Sequence, residues 1–161
     1  MPFIKPYEKQ VIDLIVGIQH GEFGVNITAE DQPDLKNISN FYQNNNGNFW
    51  IAIIDNEVLG TISLVDIGNQ QVGLRKMFVK NGYRGQPLFI GQKLLETVYD
   101  WCYLKNIKQI YLGTVAHYYA AHRFYEKNGF VRIEKNQLPH KFHLMDADNL
   151  FYLKDMKKLM N

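Results

Sequence analysis

Residues 83–95 read YRGQPLFIGQKLL. Arg84 and Gly85 open the stretch, a proline follows closely, and its second half begins a stripe in which Gly91, Leu95, Val98 and Cys102 fall at steps of four, three and four. That spacing predicts a long helix with one apolar face, closed by Asn106. Upstream, FWIAIID (49–55), VLGTISLVD (58–66) and VGLRKMFV (72–79) are divided by turn residues at Asn56 and at Gly68-Asn69. Three short strands so punctuated predict an antiparallel meander. Downstream, IKQIYLGT (107–114) has strand character, so Val72 to Thr114 reads as strand, helix, strand. Such a unit makes its two strands parallel through a right-handed crossover. The quoted stretch therefore stands where an antiparallel sheet turns parallel.

The flanking sequence completes a mixed α/β (α+β) sheet. FIKPY (3–7) predicts a short first strand, and Val11, Ile12, Leu14, Ile15 and Ile18 predict a helix running to His20-Gly21. Asp31 and Pro33 mark the start of a second helix carrying Leu35, Ile38, Phe41 and Tyr42. A shorter helix spans Tyr119 to Asn128 and stops at Gly129. VRIEK (131–135) and LFYLKDM (150–156) predict two last strands, separated by the loop NQLPHKFHLMDADN. The expected order is β-α-α-β-β-β-α-β-α-β-β.

Composition narrows the class. A chain of 161 residues with 46% hydrophobic content suits one domain, 1–161, with a core of its own. A formal charge of +2 gives no reason to expect a nucleic-acid partner, and Lys154, Lys157 and Lys158 near the C-terminus hardly establish one. The one cysteine, Cys102, sits in an apolar stretch with no second thiol, which suits a reducing cytoplasm and a structural role. MPFIKPYEKQ lacks a signal core, and the longest apolar run, 49–54, falls far short of the ~18 residues of a membrane span. The expectation is a cytoplasmic protein without a membrane partner.

A loop leading from a strand into a helix aims unpaired N–H groups and the positive end of a dipole at whatever lies before it, a natural seat for phosphate. Gly85 permits close approach, and Gly91 leaves room beside the helix axis. The Walker A pattern fails, because Gly91 is followed by Gln92-Lys93. The dinucleotide fingerprint fails too, lacking its three glycines. The glycines alone leave two readings open: a phosphate site, or simply a glycine-bearing loop before a helix.

Three segments, LRKMFVKNGYRG (74–85), IGQKLLE (90–96) and FYEKNGF (124–130), resemble the GNAT acyltransferase superfamily, whose members transfer an acyl group from coenzyme A to an amine. The resemblance implies a GNAT fold and an N-acetyltransferase using acetyl-CoA as co-substrate, without a metal. It implies that main chain at Met77, Phe78 and Val79 meets the pantetheine arm and polarises the thioester. Arg84, Gly85, Gln86, Ile90, Gly91 and Gln92 would wrap the pyrophosphate. Tyr125 would be the acid that protonates the departing sulfur after direct attack by the amine; its reference pKa of ≈ 10 suits a thiolate of similar basicity. The acceptor would be a primary amine on a small molecule or peptide, and a homodimer is open.

The sequence departs from the family pattern in two places. Five residues, QPLFI, part Gly85 from Gly91, an insertion of two with the middle glycine lost, and Pro87 has no N–H to donate although it can start a helix. Tyr118 stands where many relatives carry an asparagine that contacts the cofactor. The general base is unassigned, since Val72 and Gly73 occupy the stretch where a glutamate is common; Glu22, His117, His122 and Asp146 are candidates. His122, three positions before Tyr125, shares its helix face. Glu22, Glu30, Asp31 and Asp34 either attract a cationic amine or form a solvated loop with helix caps. The alternative function is a non-catalytic acyl-CoA-binding sensor or assembly module of the same fold.

Overall fold

The computed structural model describes residues 1–116, 118–145 and 147–156. Six strands form one sheet: β1 (Asn48–Ile54), β2 (Glu57–Asp66), β3 (Gln71–Val79), β4 (Gln109–Thr114), β5 (Val131–Ile133) and β6 (Leu150–Asp155), ordered β1-β2-β3-β4-β6-β5. Every pairing is antiparallel except β3 with β4, the step that the strand-helix-strand reading anticipates.

The crossover helix α3 (Ile90–Lys105) lays Leu94, Leu95, Val98 and Cys102 on one face of the sheet, against Leu59, Ile62, Leu64, Val72 and Ile110. Asn106 ends it in the left-handed conformation, φ 60°. Helix α1 (Glu8–Gly21) packs Val11 and Ile15 on the other face, with Leu35, Ile38, Tyr42, Phe49 and Ile51. The short α4 (Tyr119–Lys127) closes the end near β4 and is followed by Gly129 at φ 88°.

Three expectations need correction. The first strand is absent as drawn: Pro2 bridges Trp50 and Phe3 donates to the Phe49 carbonyl, but residues Lys5–Tyr7 coil into a 3-10 turn. Pro6 has no N–H for a ladder, which limits the pairing to the residues before it. The second helix is split, with a 3-10 turn over Pro33–Lys36 and a single turn, α2, over Ile38–Phe41. Asn37 between them lies at φ −147°, outside the helical region. Finally, α3 begins at Ile90 rather than at Pro87, because Phe89 adopts the left-handed conformation, φ 50°, just before it.

What positions the site is a fault in the middle of the sheet. Thr61 pairs with Phe78 and Ser63 with Arg75, so β3 spends one residue more than β2 over the same span. Lys76 absorbs the excess at φ 55°. This is a β-bulge, and it bends the strand. Its carbonyls would lack partners if buried hydroxyls did not supply them: Thr61 donates to the Lys76 carbonyl at 2.6 Å and Ser63 to that of Arg75 at 2.7 Å. Leaving one such acceptor bare costs about 1–3 kcal/mol. On its other edge β3 pairs with β4 only from Gln71 to Gly73. Past that point the two strands diverge, and a cleft opens between them.

Candidate active site

The cleft holds ≈ 260 Å³. Its walls are Leu74 to Phe78 of β3, Leu112 to Val115 at the end of β4, the helix residues Ala121 and Tyr125, and parts of the 142–148 loop. Tyr125 is only 8% exposed, ringed by Phe124, Phe130 and Tyr152, and its hydroxyl turns toward Met77 Sδ at 3.8 Å. Burial pushes the phenol's pKa far above its ordinary value, and the charge of Asp148 adds to the rise. The FYEKNGF segment and the half of β3 from Leu74 onward thus meet at one point.

Met77 and Phe78 line the cleft just past the bulge, and Val79 follows at the strand end. Arg84 reaches back to this end, its Nε–H donating to the Val79 carbonyl at 2.8 Å. Its two terminal nitrogens form a fork onto the Glu22 carboxylate at 2.5 and 2.7 Å. Arg84 is therefore a strap from the loop to the end of α1, neither loose in solvent nor aimed at a ligand on its own. Gly85 has open space around its α-carbon, at φ 67°. Gln86 is exposed, and Phe89 uses its N–H on the Gly85 carbonyl at 2.9 Å, which removes one of the donors that the loop offers. The N–H groups of Ile90, Gly91 and Gln92 belong to the first turn of α3, where the helix itself has no acceptor for them. No acidic residue occupies that turn. The Gln92 side chain is drawn aside to Asn128 Oδ1 at 2.9 Å. Tyr118 lines the cleft and stacks on Phe23, ring centroids 4.2 Å apart, and desolvation raises its phenol.

The acidic cluster between α1 and α2 is spent within the protein. Glu22 holds Arg84, Glu30 pairs with Lys36, and Asp31 accepts from Thr28. Asp34 is buried, accepting the Tyr42 hydroxyl at 2.5 Å, with Lys76 Nζ at 3.7 Å. Lys76, 7% exposed at its side chain, also donates to Gln32 Oε1 at 2.5 Å. Burial brings its pKa down to about 8 against the opposing pull of Asp34. This network ties the bulge to the α1–α2 segment.

Among the candidate bases, His122 binds the Val115 carbonyl through Nε2 at 2.8 Å, and its ring shares the Tyr152 neighbourhood with Tyr125 as the helix spacing predicts. His117 and Asp146 lie outside the described residues, as do Lys157 and Lys158. A β-carbon at Gly73 would make ordinary contact with the Phe142 ring, at 3.6 Å, so the loop packs beside this position. Asp148 went unnoticed in the sequence. It lines the cleft, and its carboxylate lies so close to Gly113 that an added β-carbon there would stand 2.5 Å from Oδ2. Desolvation raises its pKa to about 6, Arg75 pulling the other way. The only signal was its place two positions after Asp146 in a loop returning to the sheet.

Residues 45–132 match the acetyltransferase (GNAT) domain. The chain belongs to this family. A GNAT-family acetyltransferase from Staphylococcus aureus Mu50 is 40% identical, with 97% of each chain covered and a TM-score of 0.91. The N-acetylaspartate synthetase of Xenopus tropicalis is 32% identical over 128 residues, 74% of this chain and 45% of that protein. This GNAT domain thus spans under half the length of that curated relative. A more distant likeness, 17% identical with a TM-score of 0.71 and 96% of each chain covered, is the PaiA N-acetyltransferase of Thermoplasma acidophilum, solved with coenzyme A. Membership gives the chain a GNAT acetyltransferase domain. Among its described residues no helix is long and apolar enough to cross a membrane.

Proposed function

We propose that this GNAT domain moves the acetyl group of acetyl-CoA to a primary amine by direct attack, with Tyr125 as the acid. The observation that carries the reading is the buried Tyr125 hydroxyl, 3.8 Å from Met77 Sδ and facing the gap where β3 leaves β4. Complexation of PaiA with coenzyme A supports the choice of donor. Names among the relatives span aspartate, aminoglycoside and ribosomal-protein-alanine acetylation, so they do not choose the acceptor.

The strand past the bulge supplies main chain that β4 does not cover, which suits Met77 to Val79 to a pantetheine arm and its thioester carbonyl. The start of α3 offers the Ile90, Gly91 and Gln92 amides to a pyrophosphate, each dipole contribution being modest, about 0.3–2 kcal/mol. Arg84 can add charge there only by loosening its hold on Glu22. Tyr125 gives its proton to the departing sulfur. Its raised pKa is no obstacle, because the thiolate forms in the same dry cleft and burial raises the proton affinity of both partners. Tyrosinate then recovers a proton from the nitrogen that has become an amide.

Calorimetric titration with acetyl-CoA, followed by a screen of amines for free-thiol release, tests the proposal. Binding with turnover supports it. Binding without turnover on any amine favours the sensor or assembly role, and absence of binding at millimolar acetyl-CoA removes both.

A further inference from the structure

Arg75 and Asp148 differ from the other charged residues around the cleft. Glu22 and Asp34 are engaged by Arg84 and by Lys76 with Tyr42, as described above. Arg75, half-buried on β3 immediately before the bulge, has five donors, yet its contacts are the Met145 sulfur at 3.6 Å and the face of Phe41, 5.6 Å from the guanidinium carbon to the ring centroid. A thioether is a weak acceptor, and among the described residues no carboxylate lies within ion-pair distance of that guanidinium. Asp148 is in the converse position. Its carboxylate presses on Gly113 with no cation among the described residues in ion-pair contact.

The two are near enough for their charges to be felt, but they do not touch. Asp148 is also held firmly. The next residue, Asn149, donates its main-chain N–H to the Thr114 carbonyl at 3.0 Å and accepts from the Ala116 N–H at 2.7 Å. Among the described residues this cation and this anion each lack a counter-ion, and both line the cleft that Tyr125 also lines. A partner that completes both must carry an anion and an ammonium a short distance apart.

We propose, on the reading of this cleft as an acetyl-transfer site, that the acceptor is a free amino acid or similar compact amino-carboxylate, its carboxylate on Arg75 and its ammonium on Asp148. Asp148 removes one proton from the ammonium and later passes it to solvent. The freed lone pair forms the N–C bond to the thioester carbon, and the C–S bond breaks with its electron pair leaving on sulfur. Tyr125 protonates that sulfur and regains a proton from the acylated nitrogen. One ammonium and one thioester thus become one amide, one thiol and one solvent proton. Among the described residues, the charged or titratable side chains that line the cleft with Asp148 are Arg75 and Lys76 from β3, Tyr118 and Tyr125 at α4 and His143 from its own loop; Arg75 and Tyr125 are close enough to feel its charge, and Lys76 is committed to Asp34 and Gln32.

The test compares thiol release from acetyl-CoA by the full chain with L-alanine, L-aspartate and L-glutamate against their α-amides, and with spermidine as a cationic control. Expected is a kcat/KM for at least one amino acid about 10–100-fold above that of its amide, as suits a charge-assisted carboxylate contact. Arg75→Gln should remove most of that preference through KM, Arg75→Lys should keep part of it, and Asp148→Asn should lower kcat by about 10²–10⁴ and abolish the fall in kcat/KM below pH ~6. Should the variants not fold, as judged by circular dichroism, the wild-type panel decides alone. Amides or spermidine acetylated as well as the amino acids would overturn the proposal and leave acetyl transfer standing. Failure to bind acetyl-CoA, or to acetylate any amine, would overturn both.

Discussion

Replacing Tyr125 by phenylalanine separates catalysis from packing at this site. The ring makes edge contacts with Phe124 and Phe130, at 5.7 and 5.5 Å between centroids, and phenylalanine keeps all of that surface. What is lost is one hydroxyl, whose recorded partner is a sulfur 3.8 Å away. Since even an ordinary hydrogen bond nets about 0.5–1.5 kcal/mol, and a thioether is a weak acceptor, Tyr125→Phe should change unfolding free energy by about 1 kcal/mol or less. Acetyl-CoA affinity should hardly move. Turnover should fall by about 10²–10⁴, the usual worth of a positioned acid, which is about 3–5 kcal/mol on the barrier. Because burial and Asp148 both raise the phenol's pKa, the free enzyme should also keep this acid protonated beyond the ordinary tyrosine range, with no loss of kcat/KM at mildly alkaline pH from this group. The assay is thiol release under saturating donor, beside calorimetry and urea unfolding of the same preparation. A rate within about twofold of wild type would refute the role, and a loss of rate matched by a loss of stability would refute the separation.

Other perturbations follow from the same geometry. Thr61→Val leaves the Lys76 carbonyl without its hydroxyl donor, so urea unfolding should show a loss of about 1–3 kcal/mol, and calorimetry a weaker hold on acetyl-CoA as the bulge relaxes. A β-carbon at Gly91 meets Met77, Val79 and Phe124 only at 3.5–3.9 Å, so Gly91→Ala should be tolerated, whereas Gly91→Leu should weaken acetyl-CoA binding before it unfolds the chain. Cys102 is fully buried, and desolvation raises its thiol to about 12, so iodoacetamide should leave it unmodified in native protein and alkylate it in urea; rapid native alkylation would contradict this.

Local chemistry made most of the fold legible. The meander is written in Asn56 and Gly68-Asn69, the crossover helix in the spacing from Gly91 to Cys102, and the helix stops in Asn106 and Gly129. Tyr125 came into view through FYEKNGF, and its meeting with the second half of β3 follows once the parallel step is placed. The bulge was not legible, because LRKMFV carries no glycine or proline to mark it, and the groups that satisfy its carbonyls are two hydroxyls on the neighbouring strand, Thr61 and Ser63. Arg84 and Glu22 pair across 62 positions, and Lys76 meets Gln32 across 44, separations at which residue type gives no clue to partners. Asp148 depends on where a long loop lands, and that is decided by Asn149 clasping the end of β4. The missing first strand is a boundary effect, since Pro6 ends what residues 1–3 begin.

A crystal structure of the chain with acetyl-CoA would test the central claim most directly. It should place the pyrophosphate against the amides of Ile90, Gly91 and Gln92, and the thioester sulfur within hydrogen-bond reach of the Tyr125 hydroxyl. A nucleotide bound elsewhere, with the gap between β3 and β4 filled by the protein's own side chains, would contradict it.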